Sequence, residues 1–412
     1  MKTLNALEPG VKRDLLTLFS AGFLFWTSLA SLLPVLSLYV ESLGGSRQEI
    51  GVVMGAFAVG LLLFRAQLGK LADRRSRKLV LLIGMAVVAI APLGYGVVQS
   101  VPLLILLRAF HGISIAAFTT AYSALVVDLA PPQARGELIG YMTLVNPIGM
   151  ALGPAMGGFL QDWLGYTPLF LLSASLGFIG LFCAARVQES SSQERGGADP
   201  RVAADQFWSL LWEPRIRIPT LILLMVGLAF GALSSFIPLF IKETGATLNP
   251  GLFYTAAAIA SFMIRILAGQ ASDRYGRGLF ITISLILYTA AMGLVWGANS
   301  AQDFLLAGFL EGLGAGMLIP MVAALMADRS GPHERARMFG LCLAGFDLGI
   351  ALAGPGMGVL AAAIGYRHIF GVAGGLTLIG LLMFLTLSSK NLSWSLRFAL
   401  GQTGDVYALP RP

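Results

Sequence analysis

Along the chain, apolar runs of membrane-crossing length alternate with short polar turns. A transmembrane helix needs roughly 20 apolar residues to cross about 30 Å of hydrocarbon. Twelve runs meet that requirement, near 15–40, 49–68, 79–99, 102–126, 137–160, 169–185, 219–241, 251–268, 279–298, 303–326, 338–362 and 369–388. The one long polar stretch, Arg186 to Arg217, separates the sixth run from the seventh. It contains Glu189-Ser-Ser-Ser, Glu194-Arg-Gly-Gly and Asp199-Pro, the composition of a solvated linker. Trp208, Leu210, Leu211 and Trp212 near its end predict a short interfacial segment, because Trp favours the headgroup level. The expected architecture is an all-α membrane protein with 12 transmembrane helices in two six-helix bundles. Residues 1–185 form the first bundle, 186–218 a cytoplasmic linker, and 219–412 the second bundle with a cytoplasmic tail.

Composition narrows the function classes. Of 412 residues, 56% are hydrophobic and 12% charged, with a mean hydropathy of +0.78. Soluble chains carry about 25% charged residues, so a soluble enzyme, a nucleic-acid binder and a disordered scaffold are excluded. The net charge of +7 and pI near 9.6 reflect where the cations sit. With both termini placed in the cytoplasm, all but six of the 28 Lys and Arg fall on the cytoplasmic side. The exceptions are Arg47, Lys242 and Arg367 in outer loops, and Arg65, Arg108 and Arg265 in or at the spans. That asymmetry is the positive-inside rule. The apolar stretch from Leu15 to Tyr39 is too long for a signal-peptide core. Cys183 and Cys342 lie in apolar runs without metal or redox spacing, and His111, His333 and His368 form no cluster. No cofactor and no metal are expected.

The two halves repeat at an offset of 200 residues. Arg65 matches Arg265, Gly69 matches Gly269, and Asp73-Arg74 matches Asp273-Arg274. Gly112 and Gly312, Asp128 and Asp328, Arg135 and Arg335, and Gly165-Tyr166 and Gly365-Tyr366 keep the same offset. An even number of spans per half makes the repeats parallel in topology.

The segment Gly69-Lys-Leu-Ala-Asp73-Arg74-Arg75-Ser76-Arg77-Lys78 resembles the signature loop between helices 2 and 3 of the major facilitator superfamily. Its copy, Gly269-Gln-Ala-Ser-Asp273-Arg274-Tyr-Gly276-Arg277, stands where that superfamily repeats it, between helices 8 and 9. Ser76 departs from the usual glycine, which Gly276 keeps. The resemblance covers nearly the whole chain and implies the major facilitator fold. It also implies that these loops act as a conformational latch. The loop glycines are expected to permit a tight turn and close helix approach, with Arg74 pairing to Asp128 and Arg274 to Asp328.

Charges inside the spans are the functional candidates. Arg108 lies about 9 Å below the end of its helix, at a rise of roughly 1.5 Å per residue. Arg108-Ala-Phe-His111-Gly112 resembles the superfamily's helix 4 motif, Arg-x-x-Gln-Gly, which is linked to proton transfer in proton-coupled members. His111 sits one turn from Arg108, on the same side of the helix. Glu311 stands at the repeat equivalent of His111, and Asp347 lies within the eleventh span. These carboxylates are candidates to carry the coupled proton, and one of them is expected to meet Arg108 in at least one conformation.

The fifth span contains Gly149-x-x-x-Gly153-Pro154-x-x-Gly157-Gly158, with a looser version at Gly349, Gly354, Pro355, Gly356 and Gly358. Small residues on one face allow tight helix packing, and proline bends the helix. The pattern resembles the motif of the superfamily's antiporters, especially drug:proton exporters, and favours export over import. Trp26 in the first span, and Phe230 and Phe236 in the seventh, are aromatic candidates for contact with a lipophilic ligand. The first span lacks the interior carboxylate that many multidrug exporters carry, which weakens specificity for cationic drugs.

The combined expectation is a secondary active transporter, exporting a small organic or lipophilic compound against protons by alternating access. Its partners would be the substrate, protons and the lipid bilayer of the cell (inner or plasma) membrane, with no nucleic acid, and it would act as a monomer. A sugar or metabolite exporter, a lysolipid flippase, a uniporter and a non-transporting sensor are the alternatives.

Overall fold

In a computed structural model, the structure describes residues 7–131, 134–189, 212–331 and 334–409, without the side chains of 270, 273 and 335–337. Most of the linker, including 208–211 of the expected interfacial segment, and His333 lie outside the described residues.

All regular structure among the described residues is helical. The first half comprises α1 (Pro9–Ser31), α2 (Leu36–Ser42), α3 (Arg47–Arg74), α4 (Arg77–Val97), α5 (Val101–Leu129), α6 (Arg135–Thr143), α7 (Val145–Leu164) and α8 (Tyr166–Arg186). The second comprises α9 (Pro214–Thr244), α10 (Pro250–Tyr275), α11 (Arg277–Gly297), α12 (Ala301–Asp328), α13 (Arg335–Leu387) and α14 (Leu392–Ala399). α1 with α2, and α6 with α7, each make one span. α13 holds two spans, since Gly365 breaks it at φ 83° and ψ 165°. Its repeat partner Gly165 has φ 86° and separates α7 from α8. Glycine adopts this half of φ space without the Cβ penalty. Among the described residues there are 11 apolar helical segments of crossing length, and the last, the kinked Met338–Leu387, holds two spans, which makes twelve.

Local chemistry sets the helix ends. Pro9 and Pro214 open α1 and α9, where a missing N–H costs nothing. Ser300 and Asp303 form a capping box on α12. Ser76 caps α4 by accepting from the Leu79 N–H at 3.0 Å.

The chain clusters into two compact units. The first is Met1–Gly45, Val52–Gly197 and Asn249–Gly251, and the second is Ser46–Gly51, Ala198–Leu248 and Leu252–Pro412. In the first, α1 packs on α7 and α8, and α4 packs on α5 and α8. Phe25 stacks on Phe118 at 3.8 Å, and the Ser28 hydroxyl donates to the Ser173 carbonyl at 2.8 Å. In the second, α9 packs on α13, and α11 packs on α12 and α13. Phe240 there contacts both Phe304 and Phe370. Exposed apolar residues such as Leu63, Val97, Leu106 and Ile266 suit a lipid-facing surface.

Candidate functional site

Gly112 determines how α5 meets α3. A Cβ at Gly112 would come within 1.9 Å of the Phe57 carbonyl oxygen, and one at Gly60 within 1.8 Å of the Ala109 carbonyl oxygen. The two backbones therefore touch, and the Phe57 ring lies beneath the Arg108 guanidinium, 4.4 Å from centroid to carbon. Phe57 also meets the edge of His111 at 5.6 Å. His111 Nδ1 is 3.0 Å from the Tyr95 hydroxyl. Arg108 and His111 are both buried, and the Arg108 charge bears on Tyr95 and His111 alike. Arg108 Nε and His111 Nε2 are buried without a hydrogen-bond partner among the described residues. The ring face beneath Arg108 supplies a cation–π contact instead. The structure thus brings Arg108 and His111 together, and adds Phe57 and Tyr95, which no motif had marked. Tyr95 was visible only as a lone hydroxyl-bearing aromatic within an apolar span.

The second unit repeats the crossing with different side chains. A Cβ at Gly312 would lie 1.9 Å from the Ala257 carbonyl oxygen, the residue 200 positions after Phe57. Next to it Glu311 is buried, and its Oε1 has no hydrogen-bond partner among the described residues. Tyr254 and Tyr288 lie close enough to interact electrostatically with the Glu311 carboxylate. Asp347 is also buried, on α13, and belongs to the same unit. Its neighbour Phe346 contacts Phe230 at 5.7 Å, and the Phe346 carbonyl rests against Gly227. Phe236 is fully buried against Tyr366 within this unit. Trp26 and Phe230 keep partial exposure.

The glycines of the fifth span seat α7 directly on α1. Added Cβ atoms would reach the Trp26 Cβ at 2.5 Å from Gly149, and the Thr27 carbonyl at 2.7 Å from Gly153. From Gly157 the Ser31 carbonyl lies at 1.9 Å, and from Gly158 the Asn249 side chain at 2.1 Å. Pro154 lies inside the helix, with its carbonyl against Gly251. In the looser second copy, Gly349 presses on α9 at the Leu224 carbonyl, while nothing lies near Gly356.

The signature segments differ from expectation in two respects. They are mostly helical, because α3 runs to Arg74 and α10 to Tyr275, and Gly69 and Gly269 meet nothing within 4 Å. Close approach is therefore not their role within either unit. Gly276 alone makes a left-handed turn, at φ 91°, and Ser76 replaces it with an extended capping conformation. The aspartate partners also differ. Asp128 pairs with Arg77, not Arg74, and Asp328 pairs with Arg277 at 3.4 Å, not Arg274. Arg77 and Arg277 open α4 and α11, whose first turns face the ends of α5 and α12, whereas Asp73 and Arg74 are exposed. The side chain of Asp273 lies outside the described residues. Glu189, just past α8, also binds this turn, accepting from the Ser76 hydroxyl at 2.5 Å and the Arg77 N–H at 2.9 Å.

A family model described as the Major Facilitator Superfamily matches residues 18–270 and 249–402. The chain belongs to this superfamily. It is therefore a transporter-family, multi-pass membrane protein. Multidrug resistance protein MdtG of Salmonella arizonae is 26% identical over 383 residues, which cover 89% of this chain and 93% of that protein. Among solved structures, a variant of the nucleoside transporter NupG has a TM-score of 0.80 at 15% identity, covering 90% of this chain and 99% of its own. A bacterial homolog of the human lysosomal transporter Spinster has a TM-score of 0.70 at 17% identity, covering 96% and 93%. These two structures share the superfamily fold.

Proposed function

We propose that this transporter exports a small lipophilic or organic compound in exchange for protons by alternating access. The observation that carries the reading is Glu311, a buried carboxylate in a transmembrane helix with one oxygen left without a partner among the described residues. An intramembrane carboxylate is costly and marks an ion or proton path by default. Protonation removes its charge and supplies a hydrogen-bond donor, so the two forms of Glu311 favour different surroundings. A ligand stabilises one conformation only through such differential interaction. Asp347 is the second candidate carrier in the same unit, and Arg108 with His111 is the polar counterpart in the first.

Export is favoured by the seating of α7 on α1 through Gly149, Gly153 and Gly157, the pattern that resembles the antiporter motif. Similarity to a protein named for multidrug resistance supports the same direction. The cations gathered at one set of span ends support a reading with both termini in the cytoplasm and the cell membrane as the site of action. The Arg77–Asp128 and Arg277–Asp328 pairs serve as the latch, together with Asp73, Arg74, Asp273 and Arg274.

The test is a flux assay in proteoliposomes over a panel of lipophilic drugs, sugars and nucleosides, with and without an imposed pH gradient. Gradient-dependent accumulation of lipophilic compounds supports the proposal. Gradient-independent equilibration of a sugar or nucleoside would replace it with uniport.

A further inference from the structure

The chain stays with the second unit after its last span. Asn391 caps α14, its side chain accepting from the Trp394 N–H at 2.9 Å. One face of α14 is buried through Ser395, Phe398 and Ala399. The Ala399 carbonyl accepts from the Thr282 hydroxyl at 2.9 Å, and the Phe398 carbonyl passes so close to Gly278 that a Cβ there would lie 2.1 Å away. Past Gly401 the chain returns to the end of α12. Arg329, 1% exposed, donates from Nε and Nη2 to the two Asp405 carboxylate oxygens at 2.6 and 3.0 Å. Its Nη1 donates to the Arg215 carbonyl at 2.8 Å, and the Leu409 N–H donates to the Asp328 carbonyl at 2.9 Å. α14 is thus held in one position and one rotation.

That rotation leaves a specific set of side chains outward. At about 100° per residue, Leu392, Leu396 and Leu400 form one stripe adjoining the buried face. Their exposures are 56%, 39% and 51%. Ser393 and Arg397 lie on the side away from the packing, both exposed, and Trp394 is exposed on the opposite flank. Exposed Lys390 precedes the helix. In sequence the stripe comes soon after Leu382 and Leu387, exposed apolar residues at the end of the last span. A short helix with a leucine stripe bordered by a cation-bearing polar side matches the boundary between acyl chains and headgroups. Cations at that depth are attracted to anionic lipid.

We propose that α14 docks into an anionic phospholipid headgroup layer. Leu392, Leu396 and Leu400 enter the acyl boundary, and Lys390 with Arg397 binds lipid phosphates. The Asp405–Arg329 pair fixes this orientation and ties it to the end of α12, beside the Asp328 that pairs with Arg277.

The test uses the full-length protein in nanodiscs of mixed phosphatidylcholine and phosphatidylglycerol, with bromine carried on one lipid or, in equal amount, on the other. Leu396→Trp combined with Trp394→Phe puts the reporter inside the leucine stripe, and its difference in fluorescence from Trp394→Phe alone isolates that signal. Blue-shifted emission is expected, with quenching by brominated phosphatidylglycerol about two-fold stronger than by brominated phosphatidylcholine. Lys390→Glu with Arg397→Glu, both at exposed positions, should remove that preference while leaving the quenching by phosphatidylcholine. Water-like emission without quenching would overturn the proposal, as would equal quenching by both lipids. Quenching that vanishes when two copies share a disc would assign the face to a second copy and overturn it equally.

Discussion

Gly112 rests on the carbonyl oxygen of Phe57, so closely that a Cβ would lie 1.9 Å from it. Gly312 rests on the carbonyl of Ala257 at the same 1.9 Å, 200 residues later in both partners. The repeat is therefore preserved as a backbone contact even where side chains differ. In the first unit it carries a Phe57 ring under Arg108, and in the second it carries a small residue beside Glu311.

Gly112→Ala and Gly312→Ala should each destabilise the protein by about 1–3 kcal/mol, because the methyl has to displace backbone. Gly69→Ala, at a position with nothing within 4 Å, should be neutral. Thermal melts of the three variants in one detergent check this. Equal melting temperatures would contradict the close crossing.

The same contrast applies to the antiporter-type glycines. Gly157→Ala meets the Ser31 carbonyl at 1.9 Å and should abolish transport while membrane expression persists. Gly356→Ala, in open space, should retain wild-type transport. Full activity of Gly157→Ala would detach the motif from function.

The ion pairs proposed as the latch are open to a double-mutant cycle. Arg77 and Asp128 are partly exposed, at 22% and 31%, so their coupling should be about 0.2–1 kcal/mol. Arg74→Ala and Asp128→Asn should instead be additive. Asp73→Asn should slow transport while leaving substrate affinity intact, as expected of a residue that affects conformational exchange. Loss of affinity with normal exchange would remove it from the latch.

Arg329 and Asp405 form a buried bidentate pair, with side chains 1% and 8% exposed. Removing one partner of such a pair typically costs about 3–5 kcal/mol. Asp405→Ala should therefore lower the melting temperature more than Asp73→Asn. Truncation after Ala399 should lower it similarly, since the truncated chain also leaves Arg329 unpaired.

Span number, the repeat and the glycine seats were legible because each rests on a local pattern: apolar length, a fixed offset, or small residues on one helix face. The latch pairing was not. Arg74 and Arg77 flank the same turn, and sequence spacing does not say which one faces Asp128. The answer depends on Ser76 starting a new helix, with Arg77 as its first residue. Tyr95, Tyr254 and Tyr288 were missed because a hydroxyl-bearing aromatic in an apolar run looks like any other packing residue. Arg329 and the α14 segment were missed because comparison of the halves finds no copy of them. The leucines at 392, 396 and 400 beside Trp394 were the available signal.

Proton coupling through Glu311 is tested most directly by recording internal pH with a trapped dye in proteoliposomes while a transported compound is added. The wild type should show proton movement that tracks substrate flux across the pH range. Glu311→Gln, which keeps shape but cannot ionise, should still exchange substrate across the membrane, with no accompanying pH change and no uphill accumulation. Proton movement and uphill transport in Glu311→Gln equal to those of the wild type would contradict the assignment of the coupled proton to this carboxylate.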